Sequence, residues 1–260
     1  MKNCLVLGTG RSGTSLMGGI LHEAGYYMGD NLYPPRDSNP KGFFECDFIN
    51  GINEEILKPY DFLKNGEYVL SKYKKYSPLN LAYGYRWLTY IQATTKINLI
   101  NSAIESKIIK ALKKKPFAFK DPRFNYTANV WLRYANKSET VIICVFREPW
   151  NTIQSILKEC SNADYLSSFY IDFFWAEKIW INNYKKILIN KDNCETKILF
   201  VHYKQLLSGI ILPKISSFIE ASLSIDFVSN ELNRTKCEVK VSDEAFAIYY
   251  ELCKLANYNE

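Results

Sequence analysis

Apolar residues in this chain cluster in short runs separated by stretches of helical periodicity. Residues 5–7, 117–119, 140–146 and 197–202 read as buried strands, and TVIICVF over 140–146 is the strongest of them. Leu16, Met17, Ile20, Leu21 and Ala24 lie on one face of a helix that Gly25 would stop. Further helices are expected over 47–57, 88–114, 125–134, 149–159 and 165–189, with Pro149 well placed for a first turn. The remainder reads as helical, Ser242, Asp243 and Glu244 opening the last helix. Strands alternating with helices predict an α/β fold in three layers, a central, mainly parallel sheet flanked by helices on both faces.

Two stretches break this rhythm. Pro, Gly, Asn and Asp dominate 30–42 and predict an exposed loop. Residues 60–90 are rich in Tyr, Lys and Asn with weak periodicity. A mobile connection is the first reading of that segment; a lid or acceptor-binding insert around 58–114 is the second, because aromatic rings stack on sugars and planar rings. No repeat or low-complexity tract is visible, and 260 residues suit a single domain over 1–260.

Composition narrows the class. No run of about 18 apolar residues exists, so no spanning helix is expected. A strand predicted within three residues of Met1 leaves no room for a signal peptide, and a soluble, cytoplasmic protein is expected. The seven cysteines include no C-x-x-C pair and read as reduced thiols, with Cys4 and Cys144 inside apolar runs. Both histidines, His22 and His202, read as structural. The net charge of +6 suits an anionic substrate without requiring nucleic acid.

The segment CLVLGTGRSGTS over 4–15 joins a strand, a glycine-rich turn and a helix, the arrangement in which backbone N–H groups and a helix N-terminus hold phosphate. Gly8, Gly10 and Gly13 satisfy GxGxxG, but no second strand ends in an acid at the spacing of a dinucleotide site. Gly8 and Gly13 have the outer spacing of GxxxxGK[ST], yet Thr14 replaces the lysine that reaches a triphosphate, and the cation is Arg11 inside the turn. The TVIICVF strand ends in Arg147, where a magnesium-dependent P-loop enzyme commonly places aspartate. Asp121 stays open as a metal ligand, so a P-loop nucleotide kinase or NTPase is an alternative, and a non-catalytic nucleotide-binding protein is another.

Taken together, GTGRSGTSL, KDPR over 120–123, FREP over 146–149 and Ser155, eight residues after Arg147, resemble the sulfotransferases that use 3'-phosphoadenosine 5'-phosphosulfate. NPKGFFE over 39–45 is similar to the NPxGxFE stretch of bacterial members. The resemblance implies a P-loop-like fold and metal-free, in-line transfer of a sulfuryl group to a hydroxyl or amine. It implies that Gly10, Arg11, Ser12, Gly13, Thr14 and Ser15 hold the 5' end of the donor, with Arg11 as catalytic cation, and that Arg147 and Ser155 hold its 3'-phosphate. Lys120 resembles a second cation of the tyrosylprotein branch, while Arg123 reads as donor-orienting or structural. Glu45 is the candidate base, level with a role at a helix N-terminus, and Asp37 and Asp121 are its reserves. A carbohydrate is the leading acceptor class. The RKGxxGxxK element of the cytosolic branch is absent, so its 3'-phosphate contacts and its dimer motif do not carry over, and Lys204 has no reading from sequence.

Overall fold

A computed structural model of the chain describes residues 1–60, 76–78, 81, 83–98, 101–228 and 239–259. Four strands, β1 (Asn3–Leu7), β2 (Ala118–Lys120), β3 (Thr140–Phe146) and β4 (Ile198–His202), form one sheet in the order β2-β1-β3-β4. Every pair is parallel, with Cys4 opposite both Ala118 and Val141, and Cys144 opposite Phe200.

The apolar runs form strands because both sheet faces are covered. Along β1, Leu5 and Leu7 enter one core while Cys4 and Val6 enter the other, the period-two alternation of a pleated strand. Helices α1 (Thr14–Glu23), α7 (Tyr203–Leu207) and α8 (Leu212–Ile219) cover the second face. The first face carries α2 (Asp47–Leu57), α3 (Ser102–Ala111), α4 (Phe124–Trp131), α5 (Pro149–Asn162), α6 (Phe173–Lys191) and α9 (Asp243–Ala256). The expected three-layer, parallel α/β architecture is therefore present. No helix among the described residues is long and apolar enough to cross a membrane.

Two helices are shorter than their sequence pattern suggests. Among the described residues of the 88–114 stretch only Ser102–Ala111 is α-helical; Asn101 caps it by accepting from Ile104 N at 2.9 Å, and the buried Leu88, Ile91 and Ile97 precede it outside any α-helix. The helix expected from 165 starts at Phe173, where Asp172 accepts from Trp175 N at 3.0 Å, and Tyr165 lies in a 3-10 turn before it. Residues 61–75, 79–80, 82 and 99–100, part of the suggested insert around 58–114, lie outside the described residues. His202 is structural, as expected: its Nδ1 accepts from Lys204 N to cap α7, and burial pushes its pKa down to about 4. The six described cysteines are free thiols.

The chain leaves β1 towards β2 on one side, and leaves β3 towards β4 on the other. Connections that diverge in this way open a crevice beyond the carboxyl ends of β1 and β3. Gly8 to Ser15 and Arg147 both lie there.

Candidate active site at the carboxyl ends of β1 and β3

The turn after β1 is fixed from beneath by buried polar groups. Asn125 Oδ1 accepts from Gly8 N at 2.8 Å, Ser12 Oγ donates to Thr9 O at 2.7 Å, and Tyr184 OH donates to Val145 O at 3.0 Å. Gly8, Arg11 and Gly13 all have positive φ, and a Cβ on Gly8 would lie 2.2 Å from Val145 O. Arg11, at φ 70°, is a non-glycine residue in a strained region, so its position is set by the surrounding contacts. Helix α1 begins at Thr14 with no side-chain cap and no acid in its first turn. Its leading N–H groups and dipole suit an anion.

Beside this turn lies a cavity of about 120 Å³ lined by Gly13, Thr14, Ser15, Arg11, Arg147 and Ser155, among others. Arg147 leaves the end of β3 with its guanidinium 4.7 Å from the centre of the Tyr203 ring and its Nε 3.5 Å from Glu148 Oε2. Burial lowers its pKa, and Tyr203 and Glu148 offset this only in part. Burial would raise the neighbouring Glu148, but the hydrogen bond from Lys204, with His202 and Asn151, holds it below the usual carboxylate range. Lys204, which the sequence leaves without a role, is thus the ion-pair partner of a buried acid, 2.8 Å away. Ser155 Oγ accepts from Arg11 Nε at 3.1 Å.

A second cavity, of about 300 Å³, opens on the other side of Arg11 and is lined by Glu45, Lys120, Tyr33, Tyr85 and Trp87 among others. Lys120, at the end of β2, is buried; its ammonium pairs with Glu45 Oε1 and donates to Ser15 Oγ at 3.2 Å. Glu45 Oε2 accepts from Asn50 Nδ2 at 2.8 Å. The Trp87 ring packs against the turn so closely that a Cβ on Gly10 would lie 2.5 Å from it. Tyr85 OH donates to Tyr165 O at 2.6 Å, which fixes that wall.

Asp121 plays a different part from the metal ligand or reserve base left open by the sequence, and Arg123 closes salt bridges, the structural one of its two readings. Asp121 is fully buried and accepts from Asn53 Nδ2, Arg123 N and Arg123 Nη1 at 2.8 to 2.9 Å. Arg123 Nε also donates to Glu54 Oε1 at 2.6 Å, and Arg86 Nη1 lies 2.6 Å from Glu54 Oε2. Burial would lower the Arg123 pKa, but Asp121 and Glu54 outweigh it and raise it. Both residues belong to a buried ion-pair cluster; Arg123 borders the second cavity, whereas Asp121 does not and is poorly placed as a metal ligand or base.

The structure therefore brings Arg11 and Ser15 together with Arg147 and Ser155 on one side, and with Glu45 and Lys120 on the other. Sequence reasoning missed Glu159, a buried acid that pairs with Arg11 Nη1 at 3.5 Å. Its one signal was the four-residue spacing from Ser155, which puts both on one face of α5.

No protein-family model matches the sequence, and no curated protein matches it. Among solved structures the chain is similar to the sulfotransferase domain from the curacin biosynthetic pathway, 13% identical with a TM-score of 0.52, over 99% of this chain and 98% of that one. It is also similar to a sulfotransferase from Alicyclobacillus acidocaldarius, 9% identical with a TM-score of 0.50, over 100% of this chain and 97% of that one. The chain has the fold of these sulfotransferases.

Proposed function

We propose that the chain is a cytoplasmic sulfotransferase that moves a sulfuryl group from 3'-phosphoadenosine 5'-phosphosulfate to an acceptor hydroxyl or amine without a metal ion. The observation that carries this reading is that Arg11, Thr14 and Ser15 line both cavities, one containing Arg147 and Ser155 and the other Glu45 and Lys120. A transfer enzyme needs such a shared wall, because its two substrates must meet at one charged group.

The residues present fit the donor. Uncapped N–H groups at the start of α1 suit its 5' end, and a buried arginine with a lowered pKa gains from an anion, as a 3'-phosphate would provide. When bound, the donor supplies an activated sulfuryl group on a phosphate leaving group. Gly10 to Ser15 bind and orient that end, and Arg11 faces the negative charge that develops there. Lys120 supports the same region from the acceptor side. Glu45 takes the proton of the acceptor O–H or N–H; its two oxygens each accept one protein hydrogen bond, and a carboxylate has further lone pairs for a third. The aromatic wall of Tyr33, Tyr85 and Trp87 supports a ring-bearing acceptor, with a carbohydrate the leading class.

Thermal stabilisation tests the donor assignment. 3'-Phosphoadenosine 5'-phosphate is expected to raise the melting temperature more than ATP with Mg²⁺ does. Stronger stabilisation by ATP, abolished by a chelator, would sink the reading in favour of an NTPase.

A further inference from the structure

We propose that Glu159 is the positioning residue of Arg11, a fixed internal anion that holds the guanidinium at the junction of the two cavities. Three nitrogens of Arg11 each face a protein partner. Nε donates to Ser155 Oγ at 3.1 Å, Nη2 donates to Ser38 O at 3.1 Å, and Nη1 lies 3.5 Å from Glu159 Oε2. A guanidinium has about five N–H donors in a rigid fork, so these partners set its orientation and leave the remaining N–H groups for a ligand.

Glu159 is itself held in place, so it does not simply follow Arg11. Its other oxygen, Oε1, accepts from Ser38 Oγ at 3.0 Å and from Tyr165 OH at 3.1 Å. It is 5% exposed, and it stands one helical turn from Ser155 on α5. The Ser38 loop borders the donor cavity, Tyr165 walls the acceptor cavity, and Arg11 lies between them. One buried carboxylate therefore ties together three segments of the site: the β1 turn, the 30–42 loop and the residues after α5.

Two effects of Glu159 on a bound anion have opposite signs. Coulomb repulsion alone weakens anion binding, whereas orienting Arg11 in advance strengthens it by removing reorganisation at the moment of use. A carboxylate anchored by two hydroxyls and bridged to the ligand by a cation acts in the second way. Its effect then passes through Arg11, and vanishes when Arg11 is gone.

Two readouts test this, and the first needs no ligand. In the unliganded protein, the Arg11 Nε–H resonance, assigned by its loss in Arg11→Lys, is expected to exchange slowly with water. Glu159→Gln, which keeps the size but removes the charge, should speed that exchange at least about tenfold, and Tyr165→Phe should act in the same direction but less. Unchanged exchange in Glu159→Gln, or in Tyr165→Phe if Glu159→Gln does not fold, would overturn the proposal. The second readout rests on the donor reading above: calorimetric titration with 3'-phosphoadenosine 5'-phosphate should show Glu159→Gln weakening binding about tenfold in the natural background and not in Arg11→Ala. An equal loss in both backgrounds, or tighter binding in the natural one, would also overturn it. If the natural chain does not bind this nucleotide, the donor reading fails and the exchange measurement alone decides the role of Glu159.

Discussion

The ends of β2 and of β1 and β3 carry the same kinds of residue and use them in opposite ways. Beyond β2, Arg123 and Arg86 share Glu54, and Asp121 supplies a second carboxylate to Arg123. The charged groups of that cluster are almost wholly out of water and are paired at 2.6 to 2.9 Å. Beyond β1 and β3, Arg11 and Arg147 each have an acid at the longer distance of 3.5 Å and border an open cavity. A guanidinium held by two close carboxylates, as Arg123 is, holds the fold; one with a single, longer acid contact beside a cavity is better disposed to take a ligand. Residue type at a strand end does not separate the two cases, and neither does a cavity alone, since Arg123 and the closely paired Lys120 both line the second one; for the arginines, the number of close carboxylate partners does.

The contrast can be broken from either side. Glu54→Ala removes the carboxylate shared by two buried guanidinium groups, and denaturant unfolding should register a loss of about 3–5 kcal/mol. Arg11→Ala is expected to lower turnover by about 10²–10³-fold, while the melting temperature changes far less than in Glu54→Ala. Glu45→Gln should lower turnover about 10²-fold or more while nucleotide binding stays close to that of the natural chain; intact turnover would remove Glu45 as the base. Arg147→Ala should reduce the preference for 3'-phosphorylated over dephosphorylated nucleotide by about 1.5–3 kcal/mol, read as a ratio of dissociation constants, and an unchanged ratio would reject Arg147 as the 3'-phosphate reader. The smallest effect should come from Lys204→Met, about 1–2 kcal/mol in stability, because half of that side chain is in water although its partner Glu148 is buried. A Lys204 variant as damaging as Glu54→Ala would erase the distinction between the two regions.

Much of this was legible in the chain. The run TVIICVF became β3 from its first residue to its last, because a strand buried on both faces needs an unbroken apolar run. The β1 turn was legible from Gly8, Gly10 and Gly13, which allow positive φ or close approach of Trp87 and Tyr203. The 88–97 stretch misled, since its buried Leu88, Ile91 and Ile97 mimic part of a helical face while packing from irregular chain. The partners of the charged side chains were the least legible part. Arg123 and Glu54 are 69 residues apart, and Arg11 and Ser155 are 144 apart, so only the assembled sheet brings such pairs together. The same limit hid the role of Asp121: KDPR shows an acid beside two cations, but not that Asn53 also donates to it.

Tyr203 gives the cavity beside Arg147 a history as well as a shape. Its ring lies under the turn, where a Cβ on Gly13 would come within 2.4 Å of it, and under the guanidinium of Arg147. The turn follows the first strand, but its floor is made after the fourth. During synthesis the glycine-rich segment would leave the ribosome long before it could hold an anion, and capture of a nucleotide would begin only when β4 had docked. On the proposed function, nucleotide binding would report completion of the whole sheet, and nucleotide added to a cell-free synthesis would stabilise chains that are weakly stable but fully assembled, not those arrested before Tyr203.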